Sequence, residues 1–351
     1  MPAPRSVAGR SSVTAYHAPV ANGVQWVDSG TGEARRLEES EIPDVLGRDD
    51  GWLWLDVPEP DDTVARLLTE TLGIHPKAVA DGLTRNHIAR LHHYHDGLYL
   101  ALHRPLPGEA GHVHYLELDL YIAPGYLVTV HGPRNPIVDV ETLLVETDEV
   151  RQRLIAGRLR PRTPMALAYA LVSALTNAEE RIVNTFAQEV GLLEQRVMRQ
   201  ADEENPQDFL DELFTVRHTL LTVRTMAAQG AEVMGRAANL MTDLDADDQR
   251  RLRDIYDQYR RLDRVTGSQL EFLEGVTAFY RARTDTRMTI AAERLAVIAA
   301  VTLPVAAISG VMGMNVIVNA STHWTLLISL LVVMGCLSGW LLRWAHRQGW
   351  W

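Results

Sequence analysis

The feature that most constrains this chain is a stretch of 48 residues, 295–342, that contains no Asp, Glu, Lys or Arg. Charged residues make up 23% of the 351-residue chain, so about eleven would be expected in a stretch of this length. All 34 basic and 45 acidic side chains lie in the rest of the chain. Charge is costly in hydrocarbon, so we predict a membrane anchor at the C-terminal end of an otherwise soluble, acidic chain.

The uncharged stretch divides into two apolar runs, each close to the roughly 20 residues that one membrane-spanning helix needs. The first run covers 295–312 and the second covers 324–342, and the second predicted transmembrane helix extends to 344. The segment between them, 313–323, contains Gly, Asn, Ser, Thr and His, which favour a turn. We therefore predict a hairpin of two transmembrane helices joined by an external loop at 313–323.

Basic side chains flank the two predicted spans on the same side. Four arginines lie between 281 and 294, and Arg343 and Arg347 follow the second run, whereas the connecting segment has no Lys or Arg. Because positive charge is retained on the cytoplasmic side, we expect a multi-pass protein of the inner or plasma membrane with both termini in the cytoplasm. Trp324 and Trp344 would be interfacial anchors, and 345–351 a basic, aromatic cytosolic tail.

The charged part of the chain predicts an α/β cytosolic domain followed by helices. Residues 1–50 are poorly assigned, with one or two strands expected. Strand patterns at 52–56, 87–102, 113–122 and 126–130 place a domain with a mixed or antiparallel sheet at 51–160. Apolar residues at a helical period over 161–245 predict a cytosolic helical hairpin. Proline is absent from 207–303, so a stalk helix over 246–312 is expected to continue unbroken into the first span.

Composition and motifs argue against several function classes. The net charge of −11 disfavours nucleic-acid binding, which needs a basic surface. The single cysteine, Cys336, allows no intrachain disulfide and no cysteine-based metal site. The sequence has no phosphate-binding Gly-Lys-Ser loop, no serine-hydrolase elbow and no His-Glu-x-x-His. We expect neither an enzyme nor an ATP-driven pump, and no cofactor.

Histidines are candidate metal ligands at two places. The segment 92–95, His-His-Tyr-His, would place His93 and His95 on one face of a strand. Apart from Asp96, no nearby ligand completes a coordination shell, so a solvated segment is the favoured interpretation. His323 lies in the predicted external loop, where several copies would surround an entrance, although an ordinary interfacial histidine is again favoured.

Three short motifs give the chain its likeness to a known family. Gly313-Met314-Asn315 follows the first apolar run, with Pro304 nine residues before it. The segment 253–257, Arg-Asp-Ile-Tyr-Asp, lies in the predicted stalk helix, and the segment 73–76, Gly-Ile-His-Pro, precedes Asp81. With these motifs in these positions, the chain resembles the CorA magnesium-transporter family, within the two-transmembrane GxN superfamily.

The resemblance implies a funnel-shaped homopentamer in the membrane, with the first transmembrane helix of each subunit lining a pore for divalent cations. It implies that Gly313, Met314 and Asn315 form the selectivity motif at the external mouth. The positions that it assigns to the lumen are Thr289, Ala292, Leu295, Leu303, Gly310 and Asn315. Leu295 and Leu303 would be hydrophobic constrictions able to gate by dewetting.

The resemblance also implies a regulatory metal site between subunits, formed by Asp81 of one chain and Asp254 of its neighbour. Two carboxylates repel each other when the site is empty, and a hydrated Mg²⁺ between them removes that repulsion. Mg²⁺ would then be both the transported ion, moving inward down its electrochemical gradient, and the regulatory ion that closes the pore from the cytosol.

Several positions depart from the family pattern. The segment 316–323 has no acidic residue, Thr289 stands where the family often has Asn, and Ala80 removes one carboxylate beside Asp81. Some of these changes resemble the zinc-handling ZntB-like branch, so transport of Zn²⁺ or another transition metal such as Co²⁺ or Ni²⁺ is the alternative. A non-conducting, membrane-anchored scaffold or sensor is the alternative from another class.

Overall fold

A computed structural model describes residues 23–94, 97–133, 135–199, 206–241, 244–315 and 324–347. The chain divides into two compact units, Met1–Leu273 and Glu274–Trp351. The strands are β1 Gly23–Asp28, β2 Ala34–Leu37, β3 Gly51–Val57, β4 Arg90–Tyr94, β5 Gly97–Pro107, β6 Val113–Ala123 and β7 Tyr126–Val130. The helices are α1 Ile42–Val45, α2 Asp62–Arg66, α3 Pro76–Gly82, α4 Val140–Ile155, α5 Pro164–Met198, α6 Pro206–Leu240, α7 Ala246–Asn315 and α8 Trp324–Arg347.

The seven strands form one mixed sheet in the order β2-β1-β3-β7-β6-β5-β4. Neighbouring strands are antiparallel except β3 and β7, which pair in parallel with Leu53 opposite Tyr126 and Val57 opposite Val130. A parallel pair needs a crossover connection between its strands. The chain between β3 and β7 supplies α2, α3 and the hairpin strands β4 to β6.

Both faces of the sheet are covered, which explains the apolar run at 52–55. Trp52 and Trp54 pack in a core with residues of α4, α5, α6 and α7, whereas Leu53 and Leu55 pack in a second core with residues of α1, α2 and α3. Successive side chains of a strand point to opposite faces. A strand covered on both sides therefore has no polar alternation, and all seven residues of β3 are buried.

The single strand predicted over 87–102 is wrong, because the structure has two strands there. β4 and β5 pair antiparallel with Tyr94 opposite Gly97, and β5 continues to Pro107. Side-chain alternation continues on both sides of the reversal, so periodicity alone does not reveal it. A Cβ at Gly97 would lie 2.7 Å from the carbonyl oxygen of Ile122, so glycine begins β5 because the backbone of β6 is too close for a side chain.

The long helices begin with clear local signals. The Thr163 hydroxyl accepts a hydrogen bond from the Ala166 backbone N–H at 3.1 Å, and Pro164 stands in the first turn of α5, where its missing N–H leaves no bond unmade. α6 also has a proline, Pro206, as its first residue. α7 is one continuous helix of 70 residues, and it includes both the segment predicted as the stalk and the first apolar run.

One carboxylate in the core of the first unit is fully compensated. Asp56 is completely buried and accepts hydrogen bonds from the Thr129 hydroxyl at 2.6 Å and from His131 Nε2 at 2.9 Å, and it is ion-paired with Arg151. Burial alone would raise the pKa of Asp56, but the charges of His131 and Arg151 hold it below its usual value. This cluster fixes β3 and β7 to α4.

Two carboxyl groups on β6 lack such compensation. Glu117 accepts a hydrogen bond from the Asn86 backbone N–H at 3.1 Å, and among the described residues neither carboxyl oxygen of buried Asp119 has a hydrogen-bond partner that meets normal geometry. Burial raises the pKa of Glu117 to about 7. Burial, with the nearby Glu117 charge, also raises the pKa of Asp119 well above its usual value. Both groups therefore favour the protonated form in the folded chain.

The raised pKa of Glu117 predicts a pH-dependent effect of Glu117→Gln. Because the folded state binds this proton more tightly, the stabilisation is complete below the unfolded pKa near 4.5 and is lost as the pH rises through about 7. Glutamine has no proton to lose. From pH 4.5 to 8 the variant should gain roughly 2 kcal/mol relative to the unmodified chain, since one pKa unit is worth about 1.4 kcal/mol and solvent screens part of it.

Thermal unfolding of the full chain in detergent at several pH values measures this effect. The matched control is Glu232→Gln, at an exposed glutamate on α6. Its melting temperature should differ from that of the unmodified chain by the same amount at every pH. A melting-temperature difference for Glu117→Gln that is also independent of pH would contradict the assignment.

Candidate functional site

Two helices of the structure are long and apolar enough to cross a membrane: the C-terminal part of α7, up to Gly310, and α8, from Ile328 to Arg347. Their large apolar side chains are exposed in the single chain, with Leu295 and Leu303 about two-thirds accessible. Apolar surface of this extent needs a cover of lipid or protein. The two helices therefore fit the predicted membrane anchor.

Five of the six predicted lumen positions share one face of α7: Thr289, Ala292, Leu295, Leu303 and Gly310. At about 100° per residue they fall within an arc of about 120°. Four alanines that sequence reasoning missed, at 296, 299, 306 and 307, fall in the same arc, so most of this stripe is small or apolar. If α7 is straight, the remaining position, Asn315, lies about 80° beyond the edge of this arc.

Three hydroxyl side chains of α7 between 289 and 310 have a hydrogen-bonding partner, either in the helix itself or on α8. The hydroxyls of Thr289 and Thr302 donate to the carbonyl oxygens of Asp285 and Ile298, at 2.9 and 2.8 Å. The Ser309 hydroxyl lies 4.0 Å from the Met334 sulfur on α8. Ser309 is outside the stripe, so this contact with α8 leaves the stripe uncovered. A Cβ built at Gly310 would likewise meet no atom within 4 Å.

Two backbone features interrupt the regular bonding of α7. Pro304 lies inside the helix and has no N–H for the carbonyl of the preceding turn. The second feature is the C-terminal end of the helix at Asn315, where the last four carbonyl groups have no intrahelical partner. Carbonyl oxygens freed in this way are groups that can meet water or a hydrated cation.

The motif Gly313-Met314-Asn315 forms the last three residues of α7 rather than the start of a loop. The prediction that the helix ends at 312 is therefore wrong by three residues. A helical Gly costs only about 1 kcal/mol, whereas unwinding in an apolar surrounding would leave backbone groups unpaired at several kcal/mol each. Residues 316–323, including His323, lie outside the described part of the chain.

Asp81, a predicted metal ligand, lies at the end of α3 and is partly exposed. Its carboxylate is 3.4 Å from the guanidinium of Arg90 and 3.9 Å from Nε2 of His92 on β4. Sequence reasoning missed what lies beneath this helix end. A Cβ at Gly82 would lie 2.9 Å from the Asp119 carboxylate and would clash with the Tyr121 hydroxyl, so glycine is required there.

Tyr121 ties α3 to the sheet, because its hydroxyl donates to the carbonyl of Ala78 at 3.1 Å. Asp119 is the sharper signal, since the two acids that alternate with leucines at 116–120 are visible in the sequence. Its buried carboxyl lies directly under the residue that follows Asp81. The position of Asp81 thus depends on a glycine and on a buried acid that supports it.

Asp254, the second predicted ligand, lies on α7 in the first unit and is exposed. Its carboxylate accepts hydrogen bonds from the Tyr169 hydroxyl at 2.7 Å and from Gln258 Nε2 at 2.8 Å. Gln258 is itself bonded to Thr176 at 2.7 Å. Asp254 is therefore held in one orientation by α5 and by its own helix. In the single chain, Asp81 and Asp254 have separate surroundings.

Among the described residues, no group of three or more His, Cys, Asp or Glu side chains is arranged to hold a metal ion. His92 faces Asp81, and His93 is exposed. His95 and Asp96 lie outside the described residues. A metal at Asp81 or Asp254 would thus need oxygen ligands from water or from another chain, as a hydrated Mg²⁺ accepts.

A sheet domain, a long helix and two apolar helices define the class, a protein with two candidate membrane-spanning helices after a sheet domain. The family model for CorA-like Mg²⁺ transporter proteins matches residues 49–347. The chain belongs to the CorA-like Mg²⁺ transporter family, and so to a group of membrane-embedded divalent-cation transporters and not to a known family of enzymes.

One curated relative and two solved structures illustrate the similarity. "Putative metal ion transporter YfjQ" of Bacillus subtilis (strain 168) is 24% identical over 324 residues, covering 90% of this chain and 93% of its own length. The CorA magnesium transporter of Methanocaldococcus jannaschii matches with a TM-score of 0.74 at 17% identity, over 94% of this chain and 98% of its own. The ZntB cytoplasmic domain of Vibrio parahaemolyticus RIMD 2210633 matches with a TM-score of 0.59 at 12% identity, over 75% and 98%.

These comparisons confirm the family resemblance and the fold class. At 17% and 12% identity, the two solved structures are evidence for the fold alone. The evidence for divalent-cation transport is the match to the family model.

Proposed function

We propose that the chain conducts Mg²⁺ into the cytoplasm down its electrochemical gradient, as a homopentamer with five copies of α7 around the pore. The observation that carries this proposal is the uncovered stripe on α7, which leads to Gly313-Met314-Asn315 at the end of the helix. Positive charge at both flanks of the helix pair supports an orientation with both termini in the cytoplasm and the motif outside.

The external mouth would be a ring of neutral oxygens. Mg²⁺ holds its water tightly and loses it reluctantly. Five Asn315 amides, together with the unpaired carbonyls of the helix ends, are able to hydrogen-bond to the hydrated ion without removing its water. No carboxylate lies between 295 and 342 to hold the ion too tightly.

The driving force needs no ATP. A membrane potential contributes about 2.3 kcal/mol per charge per 100 mV, and therefore about twice that for a divalent cation. What the chain must supply is a gate, and the proposed gate is the pair of leucine rings at Leu295 and Leu303, which exclude water when the helices are close.

Regulation would come from Mg²⁺ bound between Asp81 of one subunit and Asp254 of the next. The ion would remove the repulsion between the carboxylates and join neighbouring subunits. Asp254 and both leucines belong to α7, so tying Asp254 to the next subunit biases the helix that carries the gate. High internal Mg²⁺ would shift the population toward the closed state.

The second candidate cargo is Zn²⁺ or another transition metal, Co²⁺ or Ni²⁺. The observation that favours it is the segment 316–323, which has no acid but contains His323. Imidazole is a common ligand of these metals, whereas Mg²⁺ prefers oxygen.

We predict that Asn315→Ala abolishes Mg²⁺ uptake by cells that depend on this protein, because the ring of amides that meets the hydrated ion is lost. Asn184→Ala, at an exposed asparagine on α5, is the matched control and should transport normally. Size-exclusion chromatography with light scattering checks that both variants assemble. Normal uptake by an assembled Asn315→Ala protein would remove Asn315 from the ion path.

Leu303→Ser should raise Mg²⁺ leak at high internal Mg²⁺ at least several-fold, because a hydroxyl wets the constriction that holds the closed state dry. Leu331→Ser, at a similarly exposed leucine on α8, changes polarity by the same amount outside the proposed pore. Flux into vesicles preloaded with Mg²⁺ is the measurement. Equal leak through the two variants would argue against a leucine gate on α7.

The double variant Asp81→Asn/Asp254→Asn should keep conducting at internal Mg²⁺ concentrations that close the unmodified channel. Without the two carboxylates, Mg²⁺ has nothing to neutralise between subunits. Asp211→Asn on α6 is the exposed control and should close normally. Inhibition of the double variant at the same internal Mg²⁺ as the control would exclude this pair as the sensor.

A further inference from the structure

The C-terminal end of α8 has two tryptophans and two arginines on one side of the helix. Trp340, Arg343, Trp344 and Arg347 follow one another at spacings of three, one and three residues. At about 100° per residue, these positions fall within an arc of about 100° around the helix. Trp340 is 63% exposed, Trp344 is 43% exposed, and both arginines are exposed. We call this surface the Trp-Arg face of α8.

The Trp-Arg face points away from α7, which belongs with α8 to the second unit from Glu274 onward. Met334 marks the side of α8 that meets α7, because its sulfur lies 4.0 Å from the Ser309 hydroxyl. Ala345 is 4% exposed and lies within about 20° of Met334 around the helix. The centre of the Trp-Arg face is about 140° from these two positions. Packing of α8 against α7 therefore leaves the Trp-Arg face uncovered.

The two arginines of this face lie at the level of the phospholipid headgroups. Arg343 is the first charged residue after the uncharged stretch 295–342, and Arg347 follows one turn later, about 6 Å along the helix axis. The polar headgroup layer occupies roughly 5–8 Å on each side of the hydrocarbon core. Both arginines therefore fall within this layer. Trp340 and Trp344 lie at the boundary itself, where indole rings are enriched in membrane proteins.

Arg343 and Arg347 are close enough to share one anion, and α8 itself supplies none. Residues four apart on one face of a helix have Cβ atoms about 5–6 Å apart, which is shorter than an arginine side chain. The sequence contains no Asp or Glu after Glu293, so no acid of α8 or of its flanking segments neutralises the two charges. Like charges at this separation repel, and an anion bound by both arginines removes the repulsion.

From this arrangement we propose that the Trp-Arg face binds the headgroup of an anionic phospholipid such as phosphatidylglycerol. Guanidinium groups form paired, charge-assisted hydrogen bonds with phosphate oxygens, and basic residues next to a membrane-spanning helix attract anionic lipids. Phosphatidylcholine has a choline cation beside its phosphate, which two arginines repel, so the face distinguishes the two lipids. The indole rings of Trp340 and Trp344 contact the glycerol and upper acyl region below the headgroup. This site is separate from ion conduction and goes beyond the proposed transport function.

Native mass spectrometry of the full chain in detergent tests the site, after titration with phosphatidylglycerol or with phosphatidylcholine. The unmodified protein should retain phosphatidylglycerol at lipid concentrations about tenfold lower than phosphatidylcholine. Arg343→Gln/Arg347→Gln should lose most of this preference, because both guanidinium groups of the face are removed. The matched control is Arg287→Gln/Arg294→Gln, which removes the same charge from α7 beside the start of the first apolar run and should keep the preference.

The comparison of the two double variants separates a site on α8 from the general positive charge beside both helices. The proposal is overturned if the unmodified protein shows no lipid preference, or if both variants, with unchanged melting temperatures, lose it equally. The same spectra report the number of subunits. Fewer subunits in Arg343→Gln/Arg347→Gln alone would mean that the Trp-Arg face binds a second copy of the chain, which also overturns the proposal. Mg²⁺ flux is not needed for any of these outcomes.

Discussion

The structure depends on one constraint, which is that backbone groups in hydrocarbon must be bonded within their own segment. Residues 295–342 carry no charge, and the described parts of this stretch are helical in α7 and α8. The same constraint explains why α7 continues through Gly310 and Gly313, residues that would weaken a helix in water. It also makes the exceptions conspicuous, since Pro304 and the helix end at Asn315 are the places where carbonyls lose their intrahelical partners.

The first unit handles buried charge in two ways. Where a charge supports the architecture, it is compensated, as in the cluster of Asp56 with His131 and Arg151. Where a buried acid is not compensated, it lies beside a residue that we propose as a metal ligand. Asp119 is under the end of α3 that carries Asp81. An uncompensated buried group costs stability, so its presence at this position favours a functional explanation.

The elements that periodicity specifies were predictable, and those set by close contacts were not. The continuity of α7 followed from the absence of proline between 207 and 303. The division of 87–102 into β4 and β5 did not, because it depends on the approach of β6 to Gly97. The stripe on α7 was expected from helical spacing and from the family resemblance, and its four further alanines became visible once the helix was known to be regular. Asp119 was also missed, since its meaning depends on neighbours distant in sequence.

Ion flux into liposomes containing the purified protein tests the central claim most directly. Mg²⁺, Zn²⁺, Co²⁺ and Ni²⁺ would be measured in parallel, with and without a pH gradient, against protein-free liposomes. Conduction through a passive pore predicts Mg²⁺ influx that increases with an inside-negative potential and is unaffected by the pH gradient. Zn²⁺ flux that follows the proton gradient without Mg²⁺ flux, or no flux of any of the four ions, would contradict it.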